Sequence, residues 1–314
     1  MSDRAVSDRA ISDRARVGVV GGRGVVGREL VKLLEAHPRA TLVFAASSER
    51  PVTPAEAAAA GLDALILAAP NGESEAWVRA VDAEPRAARA VIVDVSSDHR
   101  FDDGWVYGLP ELTRERVKGA RRIANPGCYA TGAQLALAPF LDLLGGAPAV
   151  FGVSGYSGAG SKPSPKNDPA RLADNLMPYS LVDHTHEREI SRHLGRPVAF
   201  MPHVAPFWAG ISLTVHLPLS KAAAAGAIDA SQLLERARAR YATEPLLTVS
   251  AEPPEVKDAR GKHGVLVGGF AVDAARSHAV VVACLDNLLK GAATQAVQNM
   301  NLALGLGELE GIPA

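Results

Sequence analysis

The sequence predicts an α/β protein, with a doubly wound parallel sheet in the first half and an α+β unit holding a mixed or antiparallel sheet in the second. Three observations carry this. Short aliphatic runs alternate with helical spacing from Arg16 to residue 95, a glycine-rich turn follows the first run, and later runs are longer with fewer helices between them. Strand, helix and strand in succession argue for parallel strands wrapped by helices, and long successive strands for a sheet covered on one side.

Along the chain, a Ser-Asp-Arg-Ala unit recurs at Ser2, Ser7 and Ser12. This polar repeat lacks the apolar stretch of a secretory signal, so residues 1–16 read as a flexible, solvated tail. Residues 17–20 read as the first strand, 25–35 as a helix with apolar residues on one face, and 41–46, 65–69 and 91–95 as further strands. An apolar run at 134–144 reads as a helix. Residues 149–154, 211–219, 264–271 and 279–285 read as the longer strands. Prolines at 163, 165 and 169 make 161–169 an exposed loop. Residues 287–304 form a strong helical pattern expected to pack back onto the first unit.

Composition excludes several function classes. Apolar residues make up 47% of the 314 and charged residues 21%, ordinary for a globular protein. The formal charge of −1 provides no basic field for nucleic acid or an anionic membrane. No segment has the roughly 18 uninterrupted apolar residues of a membrane helix. Two cysteines, Cys128 and Cys284, are too few for a disulfide scaffold or a cysteine metal site. Their scarcity suits a reducing, cytoplasmic compartment. His184 and His186 stand two apart, without the spacing of a helical zinc site, so no metal is expected.

The glycine turn reads Gly21-Gly22-Arg23-Gly24-Val25-Val26-Gly27, after a strand and opening a helix. Glycines there let the backbone approach a pyrophosphate, whose charge rests on the helix's first amides. This is the context of a Rossmann-type dinucleotide site. The second strand ends in Ser47-Ser48-Glu49-Arg50. Hydroxyls and an arginine suit a ribose 2′-phosphate, so NADP is preferred over NAD, with Glu49 tempering the preference.

Cys128 follows the turn Asn125-Pro126-Gly127. A thiol at a helix start faces unpaired N–H groups and the positive end of the dipole, which favour thiolate. Cys128 is therefore the candidate nucleophile. Arg100, just beyond a predicted strand, is placed to meet an anionic substrate. Among nine histidines, His203 stands out because Pro202 and Pro206 constrain its backbone just before a strand. It is the candidate acid/base.

These motifs, with Ser154-Gly155-Tyr156-Ser157-Gly158-Ala159-Gly160 and Asp286-Asn287-Leu288-Leu289-Lys290-Gly291, resemble the N-acetyl-γ-glutamyl-phosphate reductase family, the arginine-biosynthesis branch of the semialdehyde dehydrogenase superfamily. Residues 161–168 with Pro178-Tyr179-Ser180 look like the reductase portion of the fungal bifunctional enzyme. The resemblance implies NADPH-dependent reduction of an acyl phosphate through a thioester on Cys128, with His203 as acid/base and Arg100 on the substrate phosphate. It implies Asn125, Ser157 and Glu189 as further substrate residues. For the cofactor it implies Gly21, Arg23, Gly24, Val25, Ser47, Ser48, Arg50, Pro70, Asn71, Gly158, Asn287, Lys290 and Gly291. The expected domains are a dinucleotide-binding domain at 17–127, completed by 286–314, and a catalytic and oligomerisation domain at 128–285. A homodimer or homotetramer is expected. Three positions depart from the family pattern: Ala130, Asn71, and Ala209, where most members carry a long polar residue. Reductases of aminoadipyl or aspartyl phosphates and a non-catalytic NADP-binding sensor stay open as alternatives.

Overall fold

The computed structural model describes residues 14–313 except 86 and 88, so most of the repeated tail lies outside the described residues. Residues 15 and 16, read as tail, instead belong to the first strand, with Ala15 buried and its N–H donating to the Arg39 carbonyl (2.7 Å). The first sheet contains β1 (Ala15–Val20), β2 (Ala40–Ala46), β3 (Ala64–Leu67), β4 (Val91–Asp94), β5 (Val106–Tyr107) and β6 (Arg122–Ala124). All pairs are parallel, in the order β2-β1-β3-β4-β6-β5. Every residue of β3 and β4 is buried, which explains why they read as unbroken aliphatic runs rather than alternating ones.

Helix Val25–Glu35 buries Val25, Gly27, Leu30, Leu33 and Leu34. The C-terminal helix is shorter than the periodicity predicts, spanning Thr294–Leu304 after a wide π turn at Leu289–Ala293. Ala296, Val297 and Met300 complete the core formed by Val17, Val19, Leu30 and Ile66, so the end of the chain closes onto its beginning. Several of its buried polar side chains bond to other segments, although Gln295 Oε1 and Asn299 Oδ1 have no hydrogen-bond partner among the described residues. Asn299 Nδ2 donates to the Gly108 carbonyl (2.8 Å) and to Asn125 Oδ1 (3.0 Å), and Gln295 Nε2 donates to Thr131 Oγ1 (3.0 Å).

The second sheet contains β7 (Ala149–Gly155), β8 (Met177–Pro178), β9 (Ala199–Ala205), β10 (Ile211–Pro218), β11 (Leu247–Val249), β12 (Val265–Val272) and β13 (His278–Leu285). It is mixed, ordered β11-β12-β13-β10-β7-β9-β8, with β7–β9 and β11–β12 parallel. Helix Cys128–Leu137 covers one face, all but its first residue buried, and tightens to a 3-10 turn at Ala138–Leu143, where Pro139 cannot donate. The helix therefore starts at the cysteine itself, six residues before the predicted apolar run. On the other face, Phe151, Met201, Thr214 and Val282 form one row across four strands, and Phe151 is 38% exposed.

Lys290 and Glu111 form a buried ion pair (2.7 Å) beneath the π turn, both under 4% exposed, with Gln298 Oε1 accepting a second bond from the ammonium (2.6 Å). Removing one partner strands the other charge. Lys290→Met is expected to lower stability by about 3–5 kcal/mol in urea unfolding, and adding Glu111→Met to recover most of it.

Candidate active site

A cleft of about 910 Å³ runs along the carboxyl ends of β1, β3 and β4 to the start of helix Cys128–Leu137. One end is the glycine turn. Gly21 has φ +79°, and a Cβ there would strike the Ala68 carbonyl; a Cβ on Gly27 would strike the Gly21 carbonyl. The Gly21 and Gly22 N–H groups donate to the Ala46 carbonyl (3.0 and 2.9 Å), leaving the amides of helix Val25–Glu35 facing the cleft. Arg23, Gly24, Val25, Ser47, Ser48, Pro70 and Asn71 line this end, a backbone cradle that fits a dinucleotide pyrophosphate. Arg50 is exposed and outside the lining; its backbone N–H donates to Ser47 Oγ (3.2 Å) and its carbonyl accepts from the Ser47 N–H (3.0 Å). Arg23 ion-pairs with Glu49.

At the other end, Cys128 is the first residue of its helix, with Gly127 as N-cap. The sequence-based expectation of a thiolate meets an opposing effect here. Part of the cysteine faces the cleft, yet burial pushes the thiol up to about 11 against the pull of the Arg100 guanidinium and the Tyr129 N–H. Gly291 packs directly on the Cys128 side chain, bringing the π turn beside the sulfur.

Arg100 lines the cleft and is 8% exposed. Its Nε donates to the Asn125 carbonyl (3.0 Å), Nη2 to the Val95 carbonyl (2.9 Å) and Nη1 to Glu189 Oε2 (3.1 Å). Glu189 is fully buried. Its Oε1 accepts from the Gly127 N–H (2.8 Å) and from Tyr107 Oη (2.8 Å). Both oxygens are thus spent on protein groups, and Glu189 holds the site rather than lining it. Asn125 is likewise removed from the cleft, its Nδ2 donating to the Ala292 carbonyl (3.3 Å). Ser157, Gly158, Asn287 and Gly291 do line it. Asn287 Nδ2 donates to Ser157 Oγ (2.9 Å) and its Oδ1 accepts from the Gly210 N–H (2.7 Å), fixing both loops.

Two further expected residues, besides Arg50, Asn125 and Glu189, lie outside the cleft lining. Lys290 reaches Glu111 and lies outside the cleft. His203 sits within β9, not before a strand, and alternation turns it away from Cys128. Phe200 and Gly152 face Tyr129, whereas His203 lies on the opposite face against Phe151 (4.4 Å between ring centroids), its Nδ1 3.2 Å from the Met201 carbonyl.

The histidines beside Cys128 are His184 and His186, both lining the cleft. His184 caps helix Thr185–Leu194, its Nδ1 accepting from the His186 N–H (3.1 Å). His186 Nε2 abuts Gly127 and the Arg100 guanidinium, where any Cβ on Gly127 would collide with both, and His186 Nδ1 is buried without a hydrogen-bond partner. Burial, then the charge of Arg100, holds His186 well below the ordinary histidine value. A signal for this existed: His186 and Glu189 are three apart on a helix, hence on one face, and that face meets Gly127 and Arg100.

The family model for the semialdehyde dehydrogenase NAD binding domain matches residues 16–120, and that for the semialdehyde dehydrogenase dimerisation domain matches 128–287. The chain is 51% identical to the N-acetyl-gamma-glutamyl-phosphate reductase of Stenotrophomonas maltophilia (strain R551-3), over 95% of this chain and 98% of that protein. It is 50% identical to the protein of that name from Xanthomonas campestris pv. campestris (strain B100), over 94% and 98%. Its fold matches aspartate semialdehyde dehydrogenase II of Vibrio cholerae with TM-score 0.72 at 21% identity, over 93% of this chain and 98% of that one.

Alkylation of Cys128 by iodoacetamide should accelerate into the alkaline range with an inflection near 11. Replacing Arg100 by Gln should move the inflection higher, slowing reaction at pH 8 about tenfold for each unit gained.

Proposed function

This chain belongs to the semialdehyde dehydrogenase family, among the N-acetyl-gamma-glutamyl-phosphate reductases, and from that membership we propose how its cleft turns N-acetyl-L-glutamyl 5-phosphate into N-acetyl-L-glutamate 5-semialdehyde and phosphate, a step of arginine biosynthesis. The observation that carries the reading is the meeting of Cys128, Arg100 and His186 at one end of a cleft whose other end is a glycine-turn cradle. Residues 17–127 with 286–314 serve as the nucleotide-binding unit, and 128–285 as the catalytic and oligomerisation unit.

Neutral His186 takes the Cys128 proton as the sulfur attacks the acyl carbonyl. The acyl–oxygen bond breaks, phosphate leaves toward Arg100 with the proton returned by His186, and a thioester remains. The N–H groups at the start of helix Cys128–Leu137 face the developing oxyanion, a role worth about 3 kcal/mol per donor in other enzymes. When bound, a reduced nicotinamide supplies the hydride that converts the thioester carbon to the aldehyde level. Cys128 then departs as thiolate and regains a proton taken from water and relayed by His186. The anionic substrate adds negative charge beside Arg100, so proton removal must accompany attack rather than precede it, given a thiol pKa near 11.

NADP is the proposed cofactor. Ser47 and Ser48 line the end of the cradle while Glu49, the carboxylate just after β2, is engaged by Arg23 rather than free for a ribose hydroxyl. The reducing cytoplasm suits a mechanism that depends on a free thiol.

The open face of the second sheet is the proposed dimer surface. Phe151, Met201 and Val282 present an apolar row within the segment matched by the dimerisation domain. Phe151→Glu should yield monomer by light scattering; an unchanged mass would place the contact elsewhere.

In assays with acyl phosphate and NADPH, Cys128→Ser should abolish turnover while cofactor affinity is retained. His186→Asn should lower kcat on the order of 100-fold, whereas His203→Asn should leave it nearly unchanged. The reverse ranking of the two histidine variants would overturn the assignment.

A further inference from the structure

The substrate has two anionic ends, an acyl phosphate and an α-carboxylate separated from the reacting carbonyl by the glutamyl carbons. Arg100 is committed to the first, at the Cys128 end of the cleft. The second requires another cation. Arg28 and Lys162 line the cleft but are exposed to water, and the remaining candidates separate by their partners. Lys290 is buried against Glu111, and Arg23 is held by Glu49. Ala209 offers only a methyl group, buried against Val25 and Leu288.

Lys166 differs. It is half-buried, and its ammonium lies 4.7 Å from the centre of the Tyr179 ring. Tyr179 packs edge-on against His184 (5.4 Å), which neighbours His186 (5.0 Å), so the lysine stands behind the histidine wall of the cleft, outside its lining. The electrostatics agree with that placement. After burial, the Lys166 charge is the largest influence lowering His184 to about 4. No ion pair is formed by Lys166 among the described residues. Its loop is fixed by Asn167, whose Oδ1 accepts from the Ser164 N–H (2.7 Å) and whose Nδ2 donates to the carbonyls of Gly160 (3.0 Å) and Lys162 (2.8 Å). A cation resting on an aromatic face, partly stripped of water, on a pinned loop and without a carboxylate partner is prepared to receive one.

We propose that Lys166, backed by Tyr179, binds the substrate α-carboxylate and thereby sets specificity for the glutamyl chain. This rests on the reductase reading above. Lys166 acts on binding and not on the bond changes, so its loss belongs in KM.

The test compares N-acetylglutamyl phosphate with 4-acetamidobutyryl phosphate, the same chain without the carboxylate, in the parent enzyme, Lys166→Met and Lys166→Arg. The parent enzyme should prefer the carboxylate-bearing substrate by about 10- to 100-fold in kcat/KM, the scale of one charged hydrogen bond. Lys166→Met should lose that preference through KM, with kcat and the KM for NADPH little changed, and Lys166→Arg should keep most of it. An equal loss on both substrates, or a preference that survives Lys166→Met, would overturn the proposal. A parent enzyme inert toward both substrates would instead defeat the reductase reading, and this proposal with it.

Discussion

The buried ion pair between Arg100 and Glu189 is the constraint on which the rest of the site depends. It joins the loop after β4, the turn before Cys128 and helix Thr185–Leu194, three segments that are distant along the chain. From that helix, Glu189 accepts from Arg100 and the Gly127 N–H, and also from Tyr107 of β5. Such a pair survives burial only when its remaining hydrogen-bonding capacity is satisfied, and here backbone carbonyls of Val95 and Asn125 complete the guanidinium. Losing either partner would leave a buried charge and release the geometry of the nucleophile at once.

Burial works in two directions at this site. It raises the thiol and lowers His186, so at neutral pH both are uncharged and the proton moves only when an electrophile arrives. It also strengthens each remaining electrostatic contact, because little water screens Arg100 or the helix amides. A free thiolate would react with any electrophile; a buried thiol beside a neutral imidazole is reserved for an activated acyl group placed between them.

Much of the fold was legible because its causes are local. Unbroken aliphatic runs mark parallel strands buried on both faces, and the helix at Val25–Glu35 was readable from spacing alone. The glycine turn was legible because Gly21 must adopt a positive φ and Gly27 must approach a carbonyl, demands that only glycine meets. The start of helix Cys128–Leu137 was displaced from its predicted position because Ala130, Thr131 and Gly132 carry little periodic signal, although tertiary packing buries them. The strand containing His203 was hidden by Pro202, tolerated there because the proline's missing donor does not prevent β9 from pairing with β7.

Residue types and their local setting determined that this chain has a dinucleotide cradle, a cysteine opening a helix and an arginine beyond a strand end. They did not determine which polar side chains converge on the cysteine. That His203 faces away follows from strand alternation and the register of β9 on β7, where one step along the strand would reverse its side. His186 is instead brought in by the packing of helix Thr185–Leu194 against helix Cys128–Leu137. Lys290 and Glu189 turned inward for the same kind of reason, because their partners Glu111, Arg100 and Tyr107 come from segments that only the folded chain brings near. Local backbone demands are written in neighbouring residues, whereas the direction of a side chain in a packed interior is decided by whatever stands opposite.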